Sequence, residues 1–169
     1  MHIIIKGYMN MIRMTFVLSY LLIVNGNILA QSYQLNSLVG LDSVNVVVDI
    51  QSDSDHSYDE DNLIDKTELR LRRNGLKISE NRFNSTVFIR FLIKDITLGT
   101  RNVGYSISYE LMLSQGTILL SNYQYVEPAI WLRSGVSLIG DDYTRDELTR
   151  LTDQLLDTFL NELLTANPD

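Results

Sequence analysis

Apolar residues recur at every second position over Val44–Ile50: Val44, Val46, Val48 and Ile50 share one face, and Asn45 and Asp49 lie on the other with Val47. Branched side chains at period two predict a strand. Thr86–Ile96 repeats the pattern, with Val87, Ile89, Phe91 and Ile93 opposed to Phe88, Arg90, Leu92 and Lys94. Tyr105–Leu113 alternates most cleanly, with Tyr105, Ile107, Tyr109, Leu111 and Leu113 against Ser106, Ser108, Glu110 and Met112. One covered and one wet face is the habit of antiparallel sheets. Ser114-Gln115-Gly116 then fits a hairpin loop, and Thr117–Val126 is expected to be the return strand. The period changes to helical at Leu63, Thr67 and Leu71, and again at Leu148, Leu151, Leu155, Phe159 and Leu163.

End signals agree with both helices. The first should begin near Asp59 or Asp61 and carries Arg70, Arg72 and Arg73 in its last turn, which complements the helix dipole. Asn74-Gly75 is a stop, because glycine accepts the left-handed conformation of a C-cap. Thr144 and Glu147 have the spacing of a capping box for the second helix, and Asn167-Pro168 ends it. Glu127–Gly140 is less regular and holds Pro128, Trp131 and Gly135, with Val136–Ile139 as a short edge strand. The order β-α-β-β-β-α predicts an α+β fold: a two-layer sandwich with a mostly antiparallel four-stranded sheet and two helices on one face. The first helix links two strands able to lie parallel, which calls for a right-handed crossover.

The N-terminus has its own pattern. Lys6 and Arg13 precede an apolar run from Met14 to Val24, and Ile28-Leu29-Ala30 follows a polar break. A basic end, an apolar middle and a small residue at the cut are the layout of a secretory signal. The run is shorter than the roughly 18–20 residues a membrane-spanning helix needs. Residues 1–30 are therefore expected to be a signal peptide cleaved after Ala30, residues 31–43 a polar lead-in, and residues 44–168 a single α+β domain. In the lead-in, Leu35, Leu38, Val39 and Leu41 are placed to cover an edge of the core.

Composition narrows the setting. The chain has no cysteine, so neither a disulfide nor a lipid-modified N-terminal cysteine is expected. Its net charge is −7, and loss of the leader, with two basic residues and no acid, takes it to −9. Such a surface repels nucleic acid and anionic lipid. Membrane contact is expected only through the signal before cleavage. A periplasmic or extracellular bacterial protein is the expectation.

Candidate chemistry is sparse. Asp53, Asp55 and Asp59 lie in an acidic stretch, and hard cations favour clustered oxygens. Tyr58, however, stands where a calcium loop turns on glycine, so a solvated loop feeding a helix N-terminus is the simpler reading. After cleavage His56 is the one histidine, too few for a usual zinc site. Arg133-Ser134-Gly135-Val136-Ser137 lacks the first glycine of a nucleophile elbow. Spacing alone leaves a carboxylate-dependent hydrolase open as an alternative, beside a cation-binding domain. But Glu110 on the wet face of its strand and Glu127 before Pro128 have no apolar neighbourhood in sequence to raise a carboxyl pKa. No glycine-rich phosphate loop follows a strand, and no cofactor is called for. Arg70, Arg72 and Arg73 close a helix more simply than they bind phosphate. Tyr123, Tyr125, Trp131 and Arg133 are the candidates for contact with a partner, since Tyr and Trp supply large contact areas. Tyr105 and Tyr109, on the apolar face of their strand, read as core.

The leader, Val44–Ile50, the helix ending Arg73-Asn74-Gly75-Leu76, the Trp131…Gly135 stretch and the closing Phe159-Leu160-Asn161…Asn167-Pro168 resemble small uncharacterised exported bacterial proteins. The element order also resembles the N-terminal domain of TolB and periplasmic activators of penicillin-binding proteins. The resemblance implies an exported, non-catalytic interaction or accessory domain of the cell envelope that binds a protein partner.

Overall fold

The computed structural model describes residues 34–53, 58–79, 81, 85–140 and 145–168. The leader, Asp55, His56 and the Thr144 half of the capping box lie outside these residues. Nine elements follow in order: β1 (Ser43–Ser52), α1 (Glu60–Arg73), β2 (Lys77–Ile78), β3 (Ser85–Leu98), β4 (Arg101–Ser114), β5 (Thr117–Ile118), β6 (Tyr125–Val126), β7 (Ala129–Ile139) and α2 (Arg145–Ala166). Residues 34–36 add a short helical turn. The class is α+β, as expected, but the sheet is larger and mixed. It has five strands in the order β2-β1-β3-β4-β7. β1 lies parallel to both β2 and β3, while β3, β4 and β7 are antiparallel neighbours.

The largest correction concerns the return strand. Thr117–Val126 does not pair with β4; it folds outward as a hairpin closed by β5 and β6. The strand that returns is β7, and it contains the stretch expected to be irregular, Trp131 and Gly135 included. The physical reason is an inverted alternation. Trp131, Arg133, Gly135 and Ser137 turn toward the helices, whereas Leu132, Val136 and Leu138 face outward. An ion pair with α2, described below, lets a charged residue occupy the covered side.

Local chemistry explains the helix ends. The Asp59 carboxylate accepts from the backbone N–H of Asn62 at 3.1 Å, which caps α1. At the other end Gly75 (φ +90°) donates to the Arg72 carbonyl, and the Leu76 N–H reaches the Leu71 carbonyl, both at 3.1 Å. These are the two bonds of a Schellman stop, and Gly75 supplies the left-handed residue it needs. Arg70 does more than close its helix: its guanidinium pairs with Asp153 at 2.6 Å and with Asp157, both on α2.

Strand register stacks the core in rows. Val46, Val87, Leu113 and Trp131 form one, and Ile50, Phe91, Tyr109 and Gly135 another. Leu63 and Leu71 of α1 cover one half, and Leu151, Leu155, Phe159 and Leu163 of α2 the other. Each such side chain, fully buried, contributes about 2 kcal/mol. Leu38 of the lead-in is wholly buried, while Val39 is exposed rather than covering an edge. Gly135 is required by a neighbour: a Cβ there would stand 2.5 Å from the Tyr109 ring.

Among the described residues two buried hydroxyls, on Thr67 of α1 and Thr152 of α2, have no hydrogen-bond partner. Thr67→Val and Thr152→Val keep the shape and remove the stranded group, so each should stabilise the fold by about 1 kcal/mol. Urea denaturation read by circular dichroism measures this.

Candidate interaction surface

Both long helices pack on one side of the sheet, and the opposite side carries its own rows. Val47, Phe88, Met112 and Leu132 lie side by side across four strands. Next to this apolar row runs a polar one: Asp49, Arg90, Glu110 and Ser134. Arg90 donates to Asp49 at 3.1 Å and to Glu110 at 3.3 Å, and its guanidinium sits 5.0 Å from the centre of the Phe88 ring. One cation thus holds two acids together and stacks on the aromatic neighbour. These side chains are partly exposed, so the pairs are shielded by solvent and contribute little to stability.

A shallow depression of about 600 Å³ follows the apolar row, lined by Val47, Phe88, Arg90, Met112 and, from its rim, Glu127. Glu127 belongs to the base of the outward hairpin and accepts a hydrogen bond from the Tyr125 hydroxyl at 2.8 Å. That bond to a carboxylate, with some burial, raises the Tyr125 pKa above the ordinary phenol value. The hairpin is internally tied: the Leu119 N–H donates to Gln124 at 2.9 Å and the Tyr123 N–H to Leu119 at 2.8 Å. Its tip puts apolar groups into water, with Leu120 88% and Tyr123 83% exposed. Tyr123 also holds a left-handed backbone (φ +57°), a conformation that a tyrosine adopts only at a cost in energy.

The sequence candidates therefore separate. Tyr123 and Tyr125 lie on the exposed hairpin. Trp131 is 1% exposed, and its indole N–H donates to Glu162 of α2 at 2.9 Å. Arg133 grips the same carboxylate through three contacts of 2.7–3.2 Å, lies 5.1 Å from the Trp131 ring centre and also meets Gln34. Phe159 meets the indole edge-on at 5.1 Å. Asp53 pairs with Lys94 at 2.7 Å and Asp59 caps α1, so the acids offered for a cation are employed separately. Among the described residues no group of three or more His, Cys, Asp or Glu is gathered for a metal ion. Glu110 and Glu127, the carboxylates weighed against a hydrolase, are engaged by Arg90 and Tyr125. A further cleft of about 230 Å³ lies at the start of both helices, lined by Tyr58, Asp59, Asn62, Lys66, Asp146 and Thr149 among others.

Sequence reading missed Leu120 and the apolar row. The row is visible only once register places Phe88 beside Met112; the hairpin had a signal, since Ser121 and Asn122 interrupt the two faces of a two-residue period over 117–126.

No family model matches the chain, and no curated protein matches it in sequence. Among solved structures it is similar to the hypothetical protein CT253 from Chlamydia trachomatis, at 10% identity over 73% of this chain and 98% of that one, TM-score 0.42. It is similar also to lipoprotein GNA1162 from Neisseria meningitidis (12% identity, 71% and 99% covered, TM-score 0.38). A third likeness is to the PelC dodecamer from Paraburkholderia phytofirmans (14% identity, 69% and 86% covered, TM-score 0.37). The neighbours include bacterial lipoproteins and a hypothetical protein.

Glu162→Gln weakens the grip of Arg133 and should cost about 2 kcal/mol; combined with Arg133→Gln, the loss should be well short of additive in a double-mutant cycle. Glu147 gives a pH test. The Arg150 guanidinium, bonded to it at 2.6 Å, holds the carboxyl below its ordinary value near 4.5 despite partial burial, with Coulomb attraction and Ser137 assisting. A lowered folded pKa gives stability that is complete above 4.5 and disappears as pH falls through the lowered value. Arg150→Met should move the Glu147 titration back up, as followed by NMR.

Proposed function

We propose that this chain is an exported, non-catalytic accessory domain of the bacterial cell envelope that binds a protein partner through the outward hairpin and the adjoining apolar row. The leader pattern supports export. One observation carries the binding reading: Leu120 and Tyr123 stand in water at the tip of a hairpin whose backbone is internally bonded. Such groups gain when another surface covers them, and a preorganised hairpin loses little freedom in being covered. Glu127 and the shared Asp49–Arg90–Glu110 group supply a polar rim around the apolar row, the layout of a transient interface. The engagement of the candidate carboxylates in ion pairs and hydrogen bonds gives less support to a hydrolase or a cation-binding site. The likeness to TolB's N-terminal domain and to activators of penicillin-binding proteins rests on the element order expected from the sequence and is part of this proposal.

Tyr123→Gly separates binding from folding. Glycine accepts the backbone at this position, so melting temperature should hold or rise, while partner capture falls at least tenfold. Capture is read in intact cells with a photo-crosslinking residue at Leu120, and with the same residue at Leu69 on α1 as control. Equal capture from both positions, or capture unaffected by Tyr123→Gly, would overturn the reading.

A further inference from the structure

Among the described residues the two edges of the main sheet differ greatly in length. One is β2, two residues long; the other is β7, eleven residues long. Short edges are a common protection against strand pairing, as are lysine and proline, and β7 has none of these. Its one charge, Arg133, is neutralised by Glu162 on the helix side. In a chain of net charge −7, β7 is a long edge strand without an acid.

The orientation of the free backbone groups follows from two observations. The Ile130 carbonyl accepts from the Ser37 hydroxyl at 3.0 Å, off the edge. The Ile139 carbonyl lies on the other side, 2.2 Å from where a Cβ on Gly104 of β4 would stand. The β4–β7 register shifts at Ile130, and from Trp131 to Ile139 it runs unbroken, so the directions alternate back from Ile139 and Leu132, Ser134, Val136 and Leu138 offer N–H and C=O groups away from β4. The Leu132 carbonyl also accepts from the Arg133 side chain at 2.8 Å, which leaves it one lone pair. The side chains of Leu132, Val136 and Leu138 are exposed on the open face.

We propose that β7 pairs with β7 of a second copy of this chain, antiparallel about a two-fold axis at Gly135. The register follows from the ends of the free ladder. Ser37 occupies Ile130, so the available positions run from Leu132 to Leu138 and are centred on Gly135. In that register Leu132 stands opposite Leu138 of the second copy, and Ser134 opposite its Val136. The four such pairs make about eight backbone hydrogen bonds. Leu138 of the second copy also extends the row Val47, Phe88, Met112 and Leu132, so the apolar strip runs on across the axis. The pattern is self-complementary, as a two-fold interface requires.

Light scattering on the purified protein, followed by size exclusion, should give twice the chain mass. Val136→Lys places a charge on the free edge, and Val136→Pro removes an N–H that β4 does not use. Both should give the single-chain mass with the melting curve of Val136→Lys unchanged. The chain has no cysteine, so register can be read directly. An equal mixture of Leu132→Cys and Leu138→Cys should form the crosslinked pair on oxidation, since opposite residues lie about 5.5 Å apart at Cα, within disulfide reach. Either variant alone should stay uncrosslinked. A single-chain mass at every soluble concentration would overturn the proposal. So would an oligomer that persists in both Val136 variants, or crosslinking by Leu138→Cys alone equal to that of the mixture. Capture through Tyr123 does not depend on this edge, so the two readings fail separately.

Discussion

The Glu162 carboxylate is the point on which the far half of the molecule depends. It receives the Trp131 indole and the Arg133 guanidinium together, and Arg133 in turn lies on the indole face. The helix side of β7 offers little apolar surface beyond Trp131 and Ile139, so area burial alone holds α2 weakly over this strand. A bidentate charged contact supplies direction where the hydrophobic effect does not. It also fixes which way β7 faces. With Arg133 turned in, Leu132, Val136 and Leu138 must turn out, and the composition of the open face follows.

The two sides of the sheet consequently solve different problems. The covered side is a stack of branched and aromatic residues closed by helices. The open side keeps one apolar row next to a charged one and is flanked by a hairpin that contributes nothing to the core. A fold built for stability alone would have no use for Leu120 in water or for a left-handed Tyr123. Departures from local rules of this kind concentrate where a surface has work to do.

Much of the fold was legible from residue patterns. Val44–Ile50, Thr86–Ile96 and Tyr105–Leu113 stand as strands because each buries one clean face. Both helices stand, and Asn74-Gly75 ends the first in the expected way. The parallel placement of β1 and β3 was legible from the helix between them. What failed was the choice between two segments for the last strand. Thr117–Val126 is richer in β-forming residues than Ala129–Ile139, yet the covered side of β7 is completed by a carboxylate 29 residues away in α2, which no local window contains. Trp131 looked like a surface residue for the same reason, since Pro128 and two glycines around it suggested a loop. Of the candidate surface, Tyr123 and Tyr125 were legible by residue type; the apolar row needed the register.

Asn167 carries one more consequence. Its side-chain amide bonds to Gly40 at 2.7 Å and to the Leu38 carbonyl at 2.9 Å, joining positions 127 and 129 residues apart. Leu38 sits at the bottom of the core, and α2 roofs half of it. A ribosome must therefore have made almost this whole stretch before the first hydrophobic layer can be sealed. Until then the nascent polypeptide leaves Leu38 open to water.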